Sequence, residues 1–134
     1  MSALLALLAT GAAGCAATTS AYVGNCLGAS VVAFQSKQGD PRIYQNLDVT
    51  VSCNPKHPFE LSEVSESGDY PVLAVQRGGT DTCLHRQFKA KGEKCAIQVA
   101  FEPNSKPGEY ATLIFFQYAH ENETFITAVA GNIS

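Results

Sequence analysis

Three histidines, His57, His85 and His120, are the chain's supply of side chains that titrate near neutrality. General-base or zinc chemistry at that pH would have to use them. None stands at a spacing that recruits a second ligand or a nucleophile. His120-Glu121 opens like the zinc-protease helix motif, but the second histidine is missing and the pair follows a strand-like run. It reads as a solvated turn. Cys83-Leu84-His85, close to Asp81, has the residue types of a nucleophile with its base, or of a partial metal site. A disulfide-bonded Cys83 beside an exposed His85 is the plainer reading. The run from Glu60 to Asp69, with Glu63 and Glu66, lacks the dense odd-position oxygen ligands of calcium loops and reads as a solvated hairpin. There is no Gly-x-Ser-x-Gly elbow and no phosphate-cradling glycine loop. These residues give no catalytic, metal or cofactor site, and the expectation is that the chain is not an enzyme.

Redox chemistry is the other option. Five cysteines, Cys15, Cys26, Cys53, Cys83 and Cys95, are many for this length, and none forms a C-x-x-C pair. Oxidised cysteines in an exported protein account for them most simply. Small buried apolar cysteines in a reducing compartment are the alternative.

The amino terminus bears on that choice. From Met1 to Ser36 no residue is charged, and Leu4 to Leu8 form an apolar run followed by small residues up to Cys15. That is the order of regions in a secretory signal. The run is too short for a bilayer span, which needs about 20 apolar residues. Ala12-Ala13-Gly14-Cys15 resembles a bacterial lipoprotein cleavage box, which implies lipidation of Cys15 and membrane attachment through that lipid. Ala12 stands where such boxes usually carry Leu, and no Lys or Arg precedes the run. Ordinary cleavage nearby and a retained amino terminus stay open. Residues 1–20 are assigned to this leader or retained segment and residues 21–134 to one domain.

The 134 residues allow one modest core. A formal charge of -3 supplies no basic field, which sets nucleic acid aside as a partner. Turn signals recur at intervals of roughly ten residues, the rhythm of a sandwich or barrel. Leu47 to Cys53 alternates apolar and polar side chains, with Leu47, Val49, Val51 and Cys53 on one face, before Asn54-Pro55 stops it. Cys95, Ile97, Val99 and Phe101 repeat the device. Tyr110 to Tyr118 is apolar on both faces, so either Phe115 or Phe116 is expected to face a partner. Thr124 to Ala130 closes the set, ahead of Gly131. Ser30 to Phe34, Phe59 to Val64 and Val72 to Gln76 are weaker strands, and the loop from Arg77 to Gly92 is expected to be exposed. Asn122-Glu-Thr and Asn132-Ile-Ser fit the acceptor pattern for glycosylation.

Within Cys83 to Leu113, Gly92, Cys95, Phe101, Pro103, Gly108, Ala111 and Leu113 form a recurrent pattern. A Gly-x-x-Cys leads a strand ending Phe-x-Pro, and a Gly-led strand of the Ala-x-Leu type follows. This resembles the ASH-like immunoglobulin domains of bacterial choice-of-anchor surface proteins, and Ala128-Val129-Ala130-Gly131 resembles their closing strand. The resemblance covers about the last fifty residues. It implies an all-β, immunoglobulin-like β-sandwich of about seven antiparallel strands, and it supports a bridge between Cys83 and Cys95. Cys26 and Cys53 then form the natural second pair, although four cysteines allow three connectivities.

The expected function is that of an exported structural or interaction module in the periplasm, the outer membrane or at the cell surface. Its partners would be other envelope or surface proteins or copies of itself. The alternative is a filament subunit whose uncharged amino-terminal segment inserts into a neighbour.

Overall fold

Alternation of apolar and polar side chains marks the strands that hold Leu47 to Val51 and Cys95 to Phe101. In a computed structural model, which describes residues 26–134, nine strands follow one another. They are β1 (Leu27–Ala29), β2 (Ala33–Ser36), β3 (Ile43–Val51), β4 (Phe59–Gly68), β5 (Leu73–Val75), β6 (Gln87–Phe88), β7 (Lys94–Phe101), β8 (Gly108–Tyr118) and β9 (Thr124–Ile133). Cys15 and the proposed leader lie outside the described residues, as does the start of the domain at residue 21.

Two sheets face each other, one in the order β1-β3-β7-β5 and the other in the order β2-β9-β8-β4-β6. Leu47, Val49 and Val51 of β3 and Ile97, Val99 and Phe101 of β7 point inward from the first sheet. Val64, Ile114, Phe116, Tyr118, Val129 and Ile133 meet them from the second. Stacked rings fill both ends of this core. Phe34 lies 5.2 Å from Phe101 at one end, and Phe59 lies 5.3 Å from Phe88 and 5.7 Å from Tyr118 at the other. This is an immunoglobulin-like sandwich, as expected, with nine strands where about seven were counted.

The two extra strands arise where the chain changes sheets or is very short. Ser30 N still donates to Asp48 O in the first sheet, whereas Val32 O already accepts from Ala130 N in the second. The stretch expected as one strand from Ser30 is therefore split between β1 and β2. That crossing also sets direction: β2 runs parallel to β9, with Ala33 opposite Ala130 and Ser36 opposite Ile133. The sandwich is thus not wholly antiparallel.

Three local readings are corrected. The acidic run from Glu60 to Asp69 lies, up to Gly68, in β4, a ten-residue strand hydrogen-bonded to both β8 and β6. Glu66 faces inward there, its side chain only 8% exposed, and its carboxylate accepts from Val75 N and the Arg77 guanidinium, each at 2.8 Å. The loop from Arg77 to Gly92 buries Cys83 and Phe88 and contributes β6. Gly131 does not follow the last strand but lies within it, opposite Tyr110, and a side chain there would run into the Phe101 ring.

Candidate functional site

Each cysteine pair is placed by strand pairing. Val51 lies opposite Leu27 at the end of β3, which brings Cys26 and Cys53 together with a Cα separation of 4.9 Å. Cys95 opens the inward face of β7, and Cys83 reaches it at the same 4.9 Å. Asp81 supports that second bridge: its Oδ1 accepts from Cys83 N at 3.0 Å and Leu84 N at 3.1 Å. The carboxylate that stood beside a potential nucleophile thus shapes the turn that carries a disulfide.

The histidines are held apart from that turn's interior. His85 is 72% exposed and sits 3.7 Å from Glu60, itself on the surface. His57 Nδ1 lies 3.1 Å from the Pro58 carbonyl oxygen, and His120 occupies the turn between β8 and β9 with a positive φ of 63°. Among the described residues no three His, Cys, Asp or Glu side chains gather closely enough to hold a metal.

Titration is shifted at two other groups. Glu93 Oε2 accepts from Lys89 N and Ala90 N at 2.8 Å each, with Arg86 nearby, and these bonds hold its carboxyl below the usual range. Burial pushes the Tyr118 phenol well up, helped by Glu123 and Glu121. Both groups are parts of the scaffold.

The feature that stands out is the outer face of the five-stranded sheet. Adjacent residues of a strand point to opposite sides. Phe116 is wholly buried in the core, which removes it as a contact residue, whereas Phe115 belongs to the outer face. Register supplies its neighbours: Phe115 lies opposite Ile126 on β9 and Ser65 on β4, and Leu113 lies opposite Ala128 and Ser67. Ala111 and Ala130 extend the strip towards β2. Ile126 is 44% exposed, and Val31, just before β2, is 75% exposed. Apart from Glu63 beside Gln117 and Glu109 beside Asn132, the positions bordering this strip are Ser, Thr, Gln and Asn.

The other sheet's outer face is different. Arg42 lies 5.8 Å over the Tyr44 ring, donates to Gln76 Oε1 at 2.9 Å and sits 3.7 Å from Glu102. Asn46, Asp48 and Gln98 continue that polar surface. Sequence reasoning found Phe115 from the two-sided apolar character of β8. It missed Leu113 and Ile126, because only the pairing register puts them beside Phe115.

No protein-family model matches the sequence, and no curated protein matches it. The fold, in contrast, recurs among solved structures. The secreted serine protease VesC from Vibrio cholerae matches with a TM-score of 0.56 at 11% identity, over 80% of this chain and 23% of that one. The Vibrio cholerae protease VesB matches with a TM-score of 0.52 at 16% identity, over 81% of this chain and 32% of that one. WR4, a member of the MSP family of C. elegans, matches with a TM-score of 0.50 at 12% identity, over 81% of this chain and 98% of that one. The chain therefore spans less than a third of either protease. Two matches to parts of proteases correct the expectation that this chain is not an enzyme, since a sandwich of this kind occurs inside enzymes and its fold excludes no catalysis. These likenesses establish the immunoglobulin-like β-sandwich fold.

Proposed function

We propose that this chain is an exported interaction module: a disulfide-pinned sandwich that joins a larger envelope or surface assembly through the outer face of its five-stranded sheet. The observation that carries the reading is the strip of Leu113, Phe115 and Ile126, with Ala111, Ala128 and Ala130, outside a core that is already filled. Apolar side chains in a contiguous strip with a polar rim mark contact surfaces. The two bridges, with the charge-free leader-like start, support export. Lipidation of Cys15 would add membrane attachment.

Site-specific photo-crosslinking in the native host tests the reading. A photoreactive residue at position 115 should give discrete adducts, and the same residue at position 44 should give none. Equal labelling from both positions, or none from 115, overturns it.

A further inference from the structure

At one edge of the five-stranded sheet, the outermost strand β2 covers its neighbour β9 for less than half its length. β9 runs from Thr124 to Ile133, and β2 pairs with it only from Ala130 to Ile133. Alternation fixes which main-chain groups are left over. Ala130 N donates to Val32 O and Ser134 N to Ser36 O, so the even-numbered residues of β9 turn their backbone towards β2. The odd-numbered side serves β8, as where Tyr118 N donates to Glu123 O. Thr124, Ile126 and Ala128 consequently direct N–H and C=O groups along the edge beyond β2, where no hydrogen-bond partner stands among the described residues; Thr124 and Ile126 are exposed there, and Ala128, at 8%, is the least open of the three.

The sequence of that stretch is Thr-Phe-Ile-Thr-Ala-Val, residues 124–129. It is β-branched and aromatic, and it carries no charge, no proline and no glycine. Exposed edges are ordinarily blunted by Lys, Pro, bulges or covering loops. An edge without these devices is a template for another strand.

We infer that this edge pairs with a second copy of this chain, the two β9 strands running antiparallel about a two-fold axis at Ile126. The inference rests on the interaction-module reading and gives it a partner. The segment is complementary to itself. Centring the axis on Ile126 sets Ile126 against its own copy and Thr124 against Ala128 in both directions, so the three open N–H and three open C=O groups of each copy all find partners. No like charges meet across the contact. The pairing also has natural stops, because the partner's turn between β8 and β9 arrives where β2 begins. The exposed Val31 stands there. Two five-stranded sheets become one, and the strips of Leu113, Phe115 and Ile126 become continuous across the axis.

Sedimentation of the full chain over a range of concentrations, with amide hydrogen exchange, tests this. The wild type should form a dimer. Ile126→Lys, which places two like charges opposite each other, should weaken association about tenfold or more, and Thr124→Lys should weaken it less. Near-ultraviolet circular dichroism checks that both variants are folded, and Tyr44→Lys on the other sheet should dimerise as the wild type does. The amides of Thr124, Ile126 and Ala128 should slow as concentration rises. A chain that is monomeric throughout overturns the inference, as does a dimer indifferent to Ile126→Lys. Slow exchange of these amides at concentrations where the chain sediments as a monomer also overturns it, because the edge is then covered from within the same chain. If the wild type is monomeric while position 115 still crosslinks, the edge pairing fails and the module reading survives.

Discussion

The outer faces of the two sheets have the same scaffold behind them and opposite chemistry. On the four-stranded sheet, Arg42 is engaged by Tyr44, Gln76 and Glu102, so its polar groups satisfy one another and need no partner. On the five-stranded sheet, Leu113, Phe115 and Ile126 leave apolar surface in water that nothing in the fold requires. Core packing cannot explain the second face, because Phe116, one residue from Phe115, already fills the interior. The difference separates residues that make the fold from residues the fold presents.

Breaking the inner side should have the largest effect. Phe116→Ala is expected to lower stability by about 3–5 kcal/mol in chemical denaturation, whereas Phe115→Ser should change it by under about 1 kcal/mol while abolishing crosslinked adducts on its face. Equal destabilisation by the two variants would show that Phe115 belongs to the core, and the contrast between faces would collapse. Replacing Cys83 and Cys95 together by Ala closes no 12-residue loop in the unfolded chain. A loss of about 2–3 kcal/mol is expected, with adducts from position 115 retained at temperatures where the variant stays folded.

Smaller effects sharpen the comparison. Glu66→Gln removes the charge that holds Arg77 and weakens the bond to Val75 N, so a loss of about 1–2 kcal/mol should appear in the urea midpoint. Tyr44→Ser should leave both stability and partner contact within error, since the surface it occupies is already satisfied. The least effect concerns pH. The Glu93 carboxyl is lowered from 4.5, so its support for the turn from Lys89 to Glu93 is fully present above that value and is lost as pH falls through the lowered one. Glu93→Gln should flatten that part of the acid limb in a urea titration. An unchanged limb would assign the acid sensitivity elsewhere.

Much of the sandwich was legible in the sequence because period-two alternation is a local signal. Leu47, Val49 and Val51, and Cys95, Ile97, Val99 and Phe101, disclosed both their strands and their buried face. Glu66 was misread because an inward carboxylate breaks the alternation, and only Val75 and Arg77, brought close by folding, make it tolerable. The loop around Phe88 was misread for a related reason. Two residues of strand carry no period, and the burial of Phe88 depends on Phe59 arriving from β4. Half of the candidate face followed the same rule. Phe115 was visible as an excess apolar residue within β8, whereas Ile126 gained meaning only from its register opposite Phe115.

The parallel pairing of β2 with β9 has a mechanical consequence. When the domain is stretched from its two ends, strands running in the same direction slide along each other, so the hydrogen bonds between Ala33–Ser36 and Ala130–Ile133 are loaded together instead of opening one at a time. The Cys26–Cys53 bridge also withholds the 27-residue interval it closes from any extension. Under tension the two devices act in concert: the first sets the force at which the fold gives way, and the second limits how far the chain can then lengthen.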